Sequence, residues 1–400
     1  MLIAMNVNAQ WVQISNGMNS GTTSGFAVIG TNLFAATGGG VCISTNNGNN
    51  WTMVNNGLTA SIIVGIAVSG TNLFAISQSQ GVFLSTNYGS SWTAVNNGIT
   101  DLWTSAIGVS GTNIFVGTWN DGGIFLSTNN GTNWTAVNDG YPIMSQVQIS
   151  SIVVMENKIF VGSGHLGVYL STNNGSNWTG VNSGLNKNVR VLAVSGTNIF
   201  AGSRTVYSAI GGIYMSTNNG TNWNTKGLNG TDIRSLAASG TNIVAGTFSD
   251  GLFFSSNIGA NWVPINQGFN GVPPIDVLFF INNYIFAGTG NQFAWRRPLS
   301  DLVEIQNIST ETPSKYSLSQ NYPNPFNSTS NLKFQISNTG NVKLIVYDIM
   351  GKEVQTLVNE RLQPGTYEAA FDGSVLNSGV YFYRIVTEGY SETKRMLLIK

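Results

Sequence analysis

The sequence predicts an all-β protein, in which a seven-bladed β-propeller with four-stranded blades is followed by a small Ig-like β-sandwich. The first observation is an octapeptide whose copies end at Trp51, Trp92, Trp134, Trp178, Trp223 and Trp262. A period of about 40 residues is typical of stacked supersecondary units. Short apolar runs also alternate with turns rich in Gly and Asn, without a helical period. Finally, charged residues become denser after residue 300, which indicates a second domain.

The octapeptide reads Ser-x-Asn-x-Gly-x-x-Trp, and its first copy runs from Ser44 to Trp51. We expect its Asn side chain to hydrogen-bond backbone groups two residues further on, and its Gly to supply the positive φ of a tight turn. The Trp is expected to open the next strand and to pack between neighbouring sheets. The residues predicted to have these structural roles are Ser44, Asn46, Gly48, Trp51, Ser85, Asn87, Gly89, Trp92, Ser127, Asn129, Gly131, Trp134, Ser171, Asn173, Gly175, Trp178, Ser216, Asn218, Gly220, Trp223, Asn257, Gly259 and Trp262.

This pattern resembles the Asp-box (BNR) repeat, Ser-x-Asp-x-Gly-x-x-Trp, with Asn in place of Asp in every copy. The resemblance implies a structural hairpin turn in a β-propeller of the sialidase-like superfamily, and it says little about function. Because Asn carries no charge, we expect no role that depends on a carboxylate at this position.

Each repeat is predicted to contribute four short antiparallel strands. In the second repeat these strands are expected at Ile62–Ser69, Leu73–Ser77, Gly81–Ser85 and Trp92–Val95. The last repeat, Asp276 to Pro298, has only three strands, whereas Trp11–Ile14 precedes the first complete repeat. We therefore expect Trp11–Ile14 to complete the seventh blade as its outer strand, since closure removes exposed sheet edges.

The composition and short motifs of the sequence indicate its domain boundaries and its cellular location. Residues 1–9 are interpreted as the remnant of a signal peptide, with an Ala-x-Ala-like cleavage site after Ala9. Residues 10–300 are assigned to the propeller, 301–314 to a linker and 315–400 to the C-terminal domain.

The net charge of zero favours neither nucleic acid nor an acidic membrane as a partner, and no apolar run is long enough for a transmembrane segment. Cys42 is the one cysteine and is expected to be a buried apolar side chain in a monomer.

The C-terminal domain carries an ordered series of short motifs: Asn321-Tyr322-Pro323-Asn324-Pro325-Phe326-Asn327, Val346-Tyr347-Asp348, Gly351-Lys352-Glu353-Val354, Leu357-Val358, Pro364-Gly365-Thr366-Tyr367, Ser378-Gly379-Val380-Tyr381-Phe382-Tyr383-Arg384 and Lys394-Arg395-Met396. In these motifs the domain is similar to the type A C-terminal sorting domain of the type IX secretion system of Bacteroidetes-type bacteria. The resemblance implies export through the periplasm, an interaction with the type IX machinery, and release or attachment at the outer-membrane surface. An ordinary Ig-like module that binds a ligand is the alternative.

Propeller geometry places the octapeptide turns on one face and the more variable loops on the other. Variable loops on a rigid scaffold commonly carry binding residues. The candidate ligand-binding residues on that face are Trp103, Trp119, Asp121, His165, Arg190, Arg204, Tyr207, Arg234, Asp250 and Asp276. The lone histidine, His165, lacks a nucleophile motif, and Asp121 and Asp250 each precede Gly, which is also a plain turn signal.

One aligned position is more specific. The start of the innermost strand in successive blades is occupied by Ser24, Val64, Ser105, Ser150, Arg190, Arg234 and Asp276. The three charged residues are expected to meet at the channel mouth, either as a site for an anion or carboxylate or as an Arg–Asp ion pair with one solvated neighbour. Trp103 and Trp119 are expected either to stack on sugar rings or to pack under a loop.

These features predict a secreted or cell-surface, non-enzymatic binding or adhesion protein whose ligand is a glycan or a protein. The alternative is a secreted polysaccharide-degrading glycoside hydrolase of the sialidase or xyloglucanase type. Sialidases use a Tyr–Glu pair, but the one propeller glutamate, Glu156, maps to the opposite face beside Lys158. The carboxylates available for a hydrolase are Asp101, Asp121, Asp232, Asp250 and Asp276. We expect neither a cofactor nor a metal site.

Overall fold

In a computed structural model, the structure describes residues 10–120, 123–144, 147–205, 210–281, 283–302, 306–309, 311–373 and 376–400. The predicted signal remnant, residues 1–9, lies outside the described residues. The chain divides into two compact units. One contains Trp11–Ile281 with Ile285–Arg296, and the other contains Arg297–Lys400 with Asn282–Tyr284.

The first unit is built from seven four-stranded sheets, each with antiparallel pairing. Their first strands have seven residues each: β2 (Thr23–Ile29), β6 (Ile63–Ser69), β10 (Thr104–Ser110), β14 (Ile149–Met155), β18 (Val189–Ser195), β22 (Ile233–Ser239) and β26 (Ile275–Ile281). Their second strands have six: β3 (Asn32–Thr37), β7 (Asn72–Ser77), β11 (Asn113–Thr118), β15 (Lys158–Ser163), β19 (Asn198–Ser203), β23 (Asn242–Thr247) and β27 (Tyr284–Thr289).

The outer half of each sheet is shorter. The third strands are β4 (Gly40–Ser44), β8 (Gly81–Ser85), β12 (Ile124–Ser127), β16 (Gly167–Ser171), β20 (Gly212–Ser216), β24 (Leu252–Ser255) and β28 (Ala294–Pro298). The fourth strands have two residues each: β5 (Thr52–Met53), β9 (Thr93–Ala94), β13 (Thr135–Ala136), β17 (Thr179–Gly180), β21 (Asn224–Thr225), β25 (Val263–Pro264) and, in the seventh sheet, β1 (Val12–Gln13).

The seven sheets close into a ring. Each first strand contacts the first strand of the next sheet, and β26 contacts β2. The N-terminal strand β1 pairs with β28, with Val12 opposite Arg296, so it supplies the outer strand that the last repeat lacks. This pairing agrees with the closure predicted from the sequence, and the arrangement is consistent with a β-propeller.

The octapeptide turns are held by their serine hydroxyls. Ser44 Oγ donates to Asn46 Oδ1 at 2.9 Å and accepts the backbone N–H of Gly48 at 2.8 Å. Asn46 Oδ1 also accepts the backbone N–H of Asn50 at 2.9 Å, so the amide reaches four residues along the chain and not the two that we predicted. The sixth copy uses Ser255 in the same way, although our sequence analysis had not included that residue.

Two consecutive residues of each turn have positive φ. Gly48 has the predicted left-handed conformation, with φ of +83°, and Asn47 before it has φ of +55°. The same preceding position holds Tyr88 and Ile258, each with φ of +57°. Bulky side chains rarely adopt this conformation, whereas Asn tolerates it, so these two copies contain local strain that the Asn copies avoid.

The repeat tryptophans join each sheet to the one before it. Six of the seven indoles are buried, Trp262 is half-buried, and every one donates a hydrogen bond to a backbone carbonyl of the preceding sheet. The Nε1-to-oxygen distances lie between 2.6 and 2.8 Å, for Trp11 to Ile265, Trp51 to Ile14, Trp92 to Val54, Trp134 to Val95, Trp178 to Val137, Trp223 to Val181 and Trp262 to Lys226.

The second unit contains a short 3-10 helix, Leu299–Asp301, and two four-stranded sheets. One sheet has the order β29-β34-β31-β30, and the other has the order β33-β32-β35-β36. Their strands are β29 (Gln306–Ser309), β30 (Ser317–Leu318), β31 (Thr329–Ile336), β32 (Gly340–Tyr347), β33 (Glu353–Leu362), β34 (Gly365–Asp372), β35 (Gly379–Thr387) and β36 (Tyr390–Leu398). Residues 301–314, which we predict from the sequence to be a linker, contain strand β29. This strand pairs with β34 and so belongs to a sheet of the second unit.

Both sheets of this unit contribute to one core. Phe334 of β31 and Tyr383 of β35 are fully buried in it. Asn321 is also buried, and its backbone N–H donates to the Tyr383 hydroxyl at 2.8 Å. The peptide bonds before Pro323 and Pro325 are cis. The opening of the first sorting motif is therefore held against the core by hydrogen bonds.

Closure of the ring can be tested at its N-terminal strand. Trp11 is 2% exposed and Val12 is 50% exposed, although they are neighbours. Trp11→Ala should lower the free energy of unfolding by about 3–5 kcal/mol, since it removes a buried indole and its hydrogen bond. Val12→Ala should change it by less than about 0.5 kcal/mol. Urea unfolding of the full chain followed by circular dichroism measures both, and equal losses would contradict the closure.

Strain in the octapeptide can be tested by exchanging residues between copies. Tyr88→Asn should raise the free energy of unfolding by about 1 kcal/mol, because Asn tolerates the left-handed conformation. Tyr88 is 44% exposed, so little packing is lost. The reciprocal change, Asn130→Tyr at φ of +55°, should lower stability by a similar amount. If thermal melts showed both substitutions shifting stability in the same direction, this explanation would be wrong.

Candidate functional site

The candidate site lies where the first strands begin. Because pairing within each sheet is antiparallel, this end also holds the ends of the second strands and the starts of the third strands, opposite the octapeptide turns. A cavity of about 340 Å³ opens there. Its lining includes all seven residues of the aligned position, namely Ser24, Val64, Ser105, Ser150, Arg190, Arg234 and Asp276. The ring therefore brings together residues from every sheet.

The serines at this position connect neighbouring sheets. Ser105 Oγ donates to the carbonyl of Ile149, and Ser150 Oγ donates to that of Val189, both at 2.7 Å. Ser24 makes the equivalent bond to Ile63. Each acceptor is the first residue of the following sheet's first strand, so these serines have a structural role.

Arg234 and Asp276 make the corresponding connection between the sixth and seventh sheets with charged groups. Arg234 Nη1 lies 2.7 Å from Asp276 Oδ1. The guanidinium carbon also lies 4.3 Å from the ring centroid of Phe248, which is within cation–π range. Of the two interpretations of this position, the ion pair is therefore present, and it occupies both of these residues.

Arg190 differs from its neighbours. Its guanidinium donates to Gln148 Oε1 at 3.4 Å, and it makes no ion pair within the described part of the chain. Burial lowers the pKa of the Arg190 guanidinium, repulsion from Arg204 and Arg234 acts in the same direction, and attraction from Asp276 and Asp232 opposes them. An added negative charge beside Arg190 would therefore stabilise its charged form.

Two exposed indoles stand at the edge of the cavity. Trp103 is 46% exposed, Trp119 is 42% exposed, and both line the cavity. The backbone N–H of Trp119 donates to the carbonyl of Trp103 at 2.8 Å. Asp101 accepts the backbone N–H groups of Trp103 at 2.9 Å and Asn120 at 3.0 Å. Asp101 is therefore a positioning residue for both loops, and the indoles do not pack under a loop.

The remaining predicted site residues divide into two groups. His165, Arg204 and Asp250 lie in the neighbouring loops but do not line the cavity. Arg204 Nε lies 3.9 Å from Asp232 Oδ1, which is a long ion pair without a hydrogen bond to that oxygen. Asp121 and Tyr207 lie outside the described residues.

Four lining residues were missed, namely Gln78, Thr104, Gln148 and Val191. Gln78 directly follows its second strand, as Trp119 does, and Gln148 directly precedes its first strand, as Trp103 does. An alignment of the repeats at these two positions would have identified both glutamines. Among the described residues, no group of three or more His, Cys, Asp or Glu side chains is placed to hold a metal ion.

Comparison with known proteins identifies the C-terminal part of the chain. Residues 320–400 match a secretion system C-terminal sorting domain. This type IX sorting tail indicates secretion or attachment to the cell surface, and it implies an interaction with the type IX machinery. Across the described residues, no helix has the length and apolar character needed to cross a membrane. No curated protein matches the sequence.

Three solved structures show what the fold resembles. The GH74 xyloglucanase of Xanthomonas campestris is 16% identical with a TM-score of 0.59, over 81% of this chain and 59% of that one. PorZ of Porphyromonas gingivalis, a surface component of the type IX secretion system, is 15% identical with a TM-score of 0.58, over 100% of this chain and 61% of that one. YCF48 of Cyanidioschyzon merolae is 13% identical with a TM-score of 0.57, over 72% of this chain and 99% of that one.

These three neighbours are β-propellers, so the similarity supports that architecture. The chain spans less than two thirds of the xyloglucanase and of PorZ. At these identities the similarity concerns the fold alone.

Proposed function

We propose that this chain is a secreted or cell-surface binding protein whose ring recognises a ligand through a carboxylate. The observation that carries the proposal is Arg190, a cation that lines the cavity and has no carboxylate partner in the described part of the chain. An Arg guanidinium presents a planar fork of donors that matches a carboxylate. A ligand carboxylate would supply the negative charge that Asp276 gives to Arg234.

The ligand class that we propose is a glycan. Trp103 and Trp119 expose flat apolar faces at the cavity that Arg190 also lines, and a sugar ring offers an apolar face that can stack on an indole. A mouth that combines one cation with two aromatic faces suits a sugar that carries an acid group. Protein ligands remain the second class named by the sequence analysis.

The architecture that accompanies this function is also part of the proposal. We interpret the ring as a seven-bladed propeller whose octapeptides are Asn variants of the Asp-box, a member of the sialidase-like superfamily. Residues 10–300 would form the propeller, 301–314 the connection, and 315–400 an Ig-like sandwich that serves as the sorting domain. The protein would act as a monomer without a cofactor.

The hydrolase alternative needs two carboxylates at a controlled separation. Among the described residues that line the cavity, Asp276 is the one carboxylate, and its ion pair with Arg234 occupies it. Asp101 is occupied by two backbone N–H groups, and Asp232 lies beside Arg204. These engagements favour binding without turnover over glycoside hydrolysis.

Recognition of the carboxylate can be tested with a glycan array that pairs acidic glycans with their carboxyl-reduced forms. The wild-type chain should retain only the acidic members. Arg190→Gln should weaken that binding at least tenfold, since a hydrogen bond to a charged group contributes about 1.5–3 kcal/mol. Arg204→Gln is the matched control, because Arg204 lies outside the cavity. Equal binding of acidic and reduced glycans would overturn the proposal.

Export can be tested by deletion and by transfer of the tail. In a bacterium with a type IX system, a chain that lacks residues 315–400 should remain in the periplasm. The reciprocal fusion of residues 315–400 to a periplasmic reporter should bring that reporter to the medium or the cell surface. Fractionation and immunoblotting measure both, and unchanged appearance of the truncated chain outside the cell would contradict this role of the tail.

A further inference from the structure

A second cavity adjoins the mouth of the ring. Its volume is about 310 Å³, and it lies among residues 60–62, residues 78–80 and Trp103. Gln78 and Trp103 line both cavities, so the exposed indole stands between them. Each cavity is at the lower end of the range of roughly 300–1,000 Å³ that is typical of ligand sites. The two cavities are therefore neighbours that share two lining residues.

The chemistry of this outer cavity differs from that of the mouth. None of the described residues that line it is charged. Its polar groups are the hydroxyls of Ser61 and Ser79 and the carboxamides of Gln78 and Gln80. Thr59 Oγ1 donates to Gln80 Oε1 at 2.7 Å, which orients that carboxamide. Hydroxyls and carboxamides both donate and accept hydrogen bonds, as sugar hydroxyls require.

Several backbone groups around the outer cavity are already paired. The N–H groups of Gln78 and Gly81 donate to the carbonyls of Ile62 and Leu102, at 3.2 and 2.9 Å. The N–H of Gln80 donates to Ser77 Oγ at 2.7 Å, and its carbonyl accepts from Asn96. An extended peptide binds a sheet edge through a row of unpaired backbone groups. With three N–H groups of this turn already engaged, those of Gln78, Gln80 and Gly81, this loop favours recognition by side chains.

We propose that the outer cavity is a subsite for a neutral pyranose, which stacks on Trp103 and receives hydrogen bonds from the side chains of Gln78 and Gln80. This inference rests on the proposed function for its orientation, since the acidic residue of the same glycan occupies the mouth at Arg190. The ligand is thus a linear oligosaccharide with a uronic acid followed by neutral sugars. Trp103, as the wall common to both cavities, contacts both units.

The experiment uses isothermal titration calorimetry on the full chain with glucuronic acid, with an aldotetraouronic acid that joins glucuronic acid to neutral xyloses, and with xylotetraose. The wild-type chain should bind the aldotetraouronic acid at least tenfold tighter than glucuronic acid, which corresponds to about 1.4 kcal/mol. Ser79→Tyr, which fills the outer cavity, should abolish this gain. Ser249→Tyr is the matched control, because Ser249 holds the same position after its second strand and lines neither cavity.

The outcomes separate this inference from the proposed function. If the wild-type chain bound glucuronic acid and the oligosaccharide equally, the outer subsite would be refuted and the carboxylate site would stand. Xylotetraose binding that Ser79→Tyr abolishes, without any binding of glucuronic acid, would support the subsite and refute the carboxylate site. If the wild-type chain bound an acidic peptide but no sugar, and Ser79→Tyr lost that binding, the proposal of a glycan ligand would be overturned. Binding of no probe would refute both.

Discussion

The ring depends on one repeated interaction, the hydrogen bond from a tryptophan indole to a backbone carbonyl of the preceding sheet. A single sheet with one apolar face cannot bury that face alone, so each repeat needs its neighbours. The indole fills the space between two sheets and also satisfies a carbonyl that the two-residue fourth strand leaves without a ladder partner. Trp11 makes this bond to the sixth sheet, and Ile14 accepts it from Trp51. The N-terminal segment is therefore the joint at which a linear array becomes a ring, and losing it would expose the edge of β28.

Closure is also what creates the candidate site. No single sheet contributes more than a few lining residues, and the aligned position acquires meaning only when seven first strands converge. Most blades use this position to join neighbouring sheets, through serine hydroxyls in three cases and through the Arg234–Asp276 ion pair in another. Val64 and Arg190 are the exceptions, since Val64 has no polar group and Arg190 bonds only weakly to Gln148. At Arg190, a repeated structural bond is thus replaced by a charge that has no ion-pair partner among the described residues.

The features that the sequence predicts well are those set by neighbouring residues or by the spacing of the repeats. The octapeptide turn, the closing strand and the convergence of Arg190, Arg234 and Asp276 were all accessible, because repeat spacing alone aligns equivalent positions. The reach of Asn46 to Asn50 was misjudged, because the two left-handed residues between them compress the turn. Gln78 and Gln148 were missed because only the charged and aromatic side chains of the loops were compared between repeats. The strand Gln306–Ser309 was missed because its pairing with β34 is a contact between distant segments.

The two ends of the ring are under different structural constraints, and this difference explains at which end a binding site can form. At the octapeptide end, each of the six octapeptides needs the same serine, asparagine and glycine, since each buried serine hydroxyl satisfies a backbone N–H and its loss would leave that group unpaired. At the other end, the loops return to a scaffold that is already stable, so the residue before the first strand can be Ile62, Trp103 or Gln148 without altering the sheets. A poorly compensated guanidinium costs stability, and a ring with seven repeated inter-sheet bonds can tolerate that cost at one position. A bound carboxylate would compensate the guanidinium and remove the same cost. Part of the binding free energy would therefore come from relieving the unfavourable burial of Arg190.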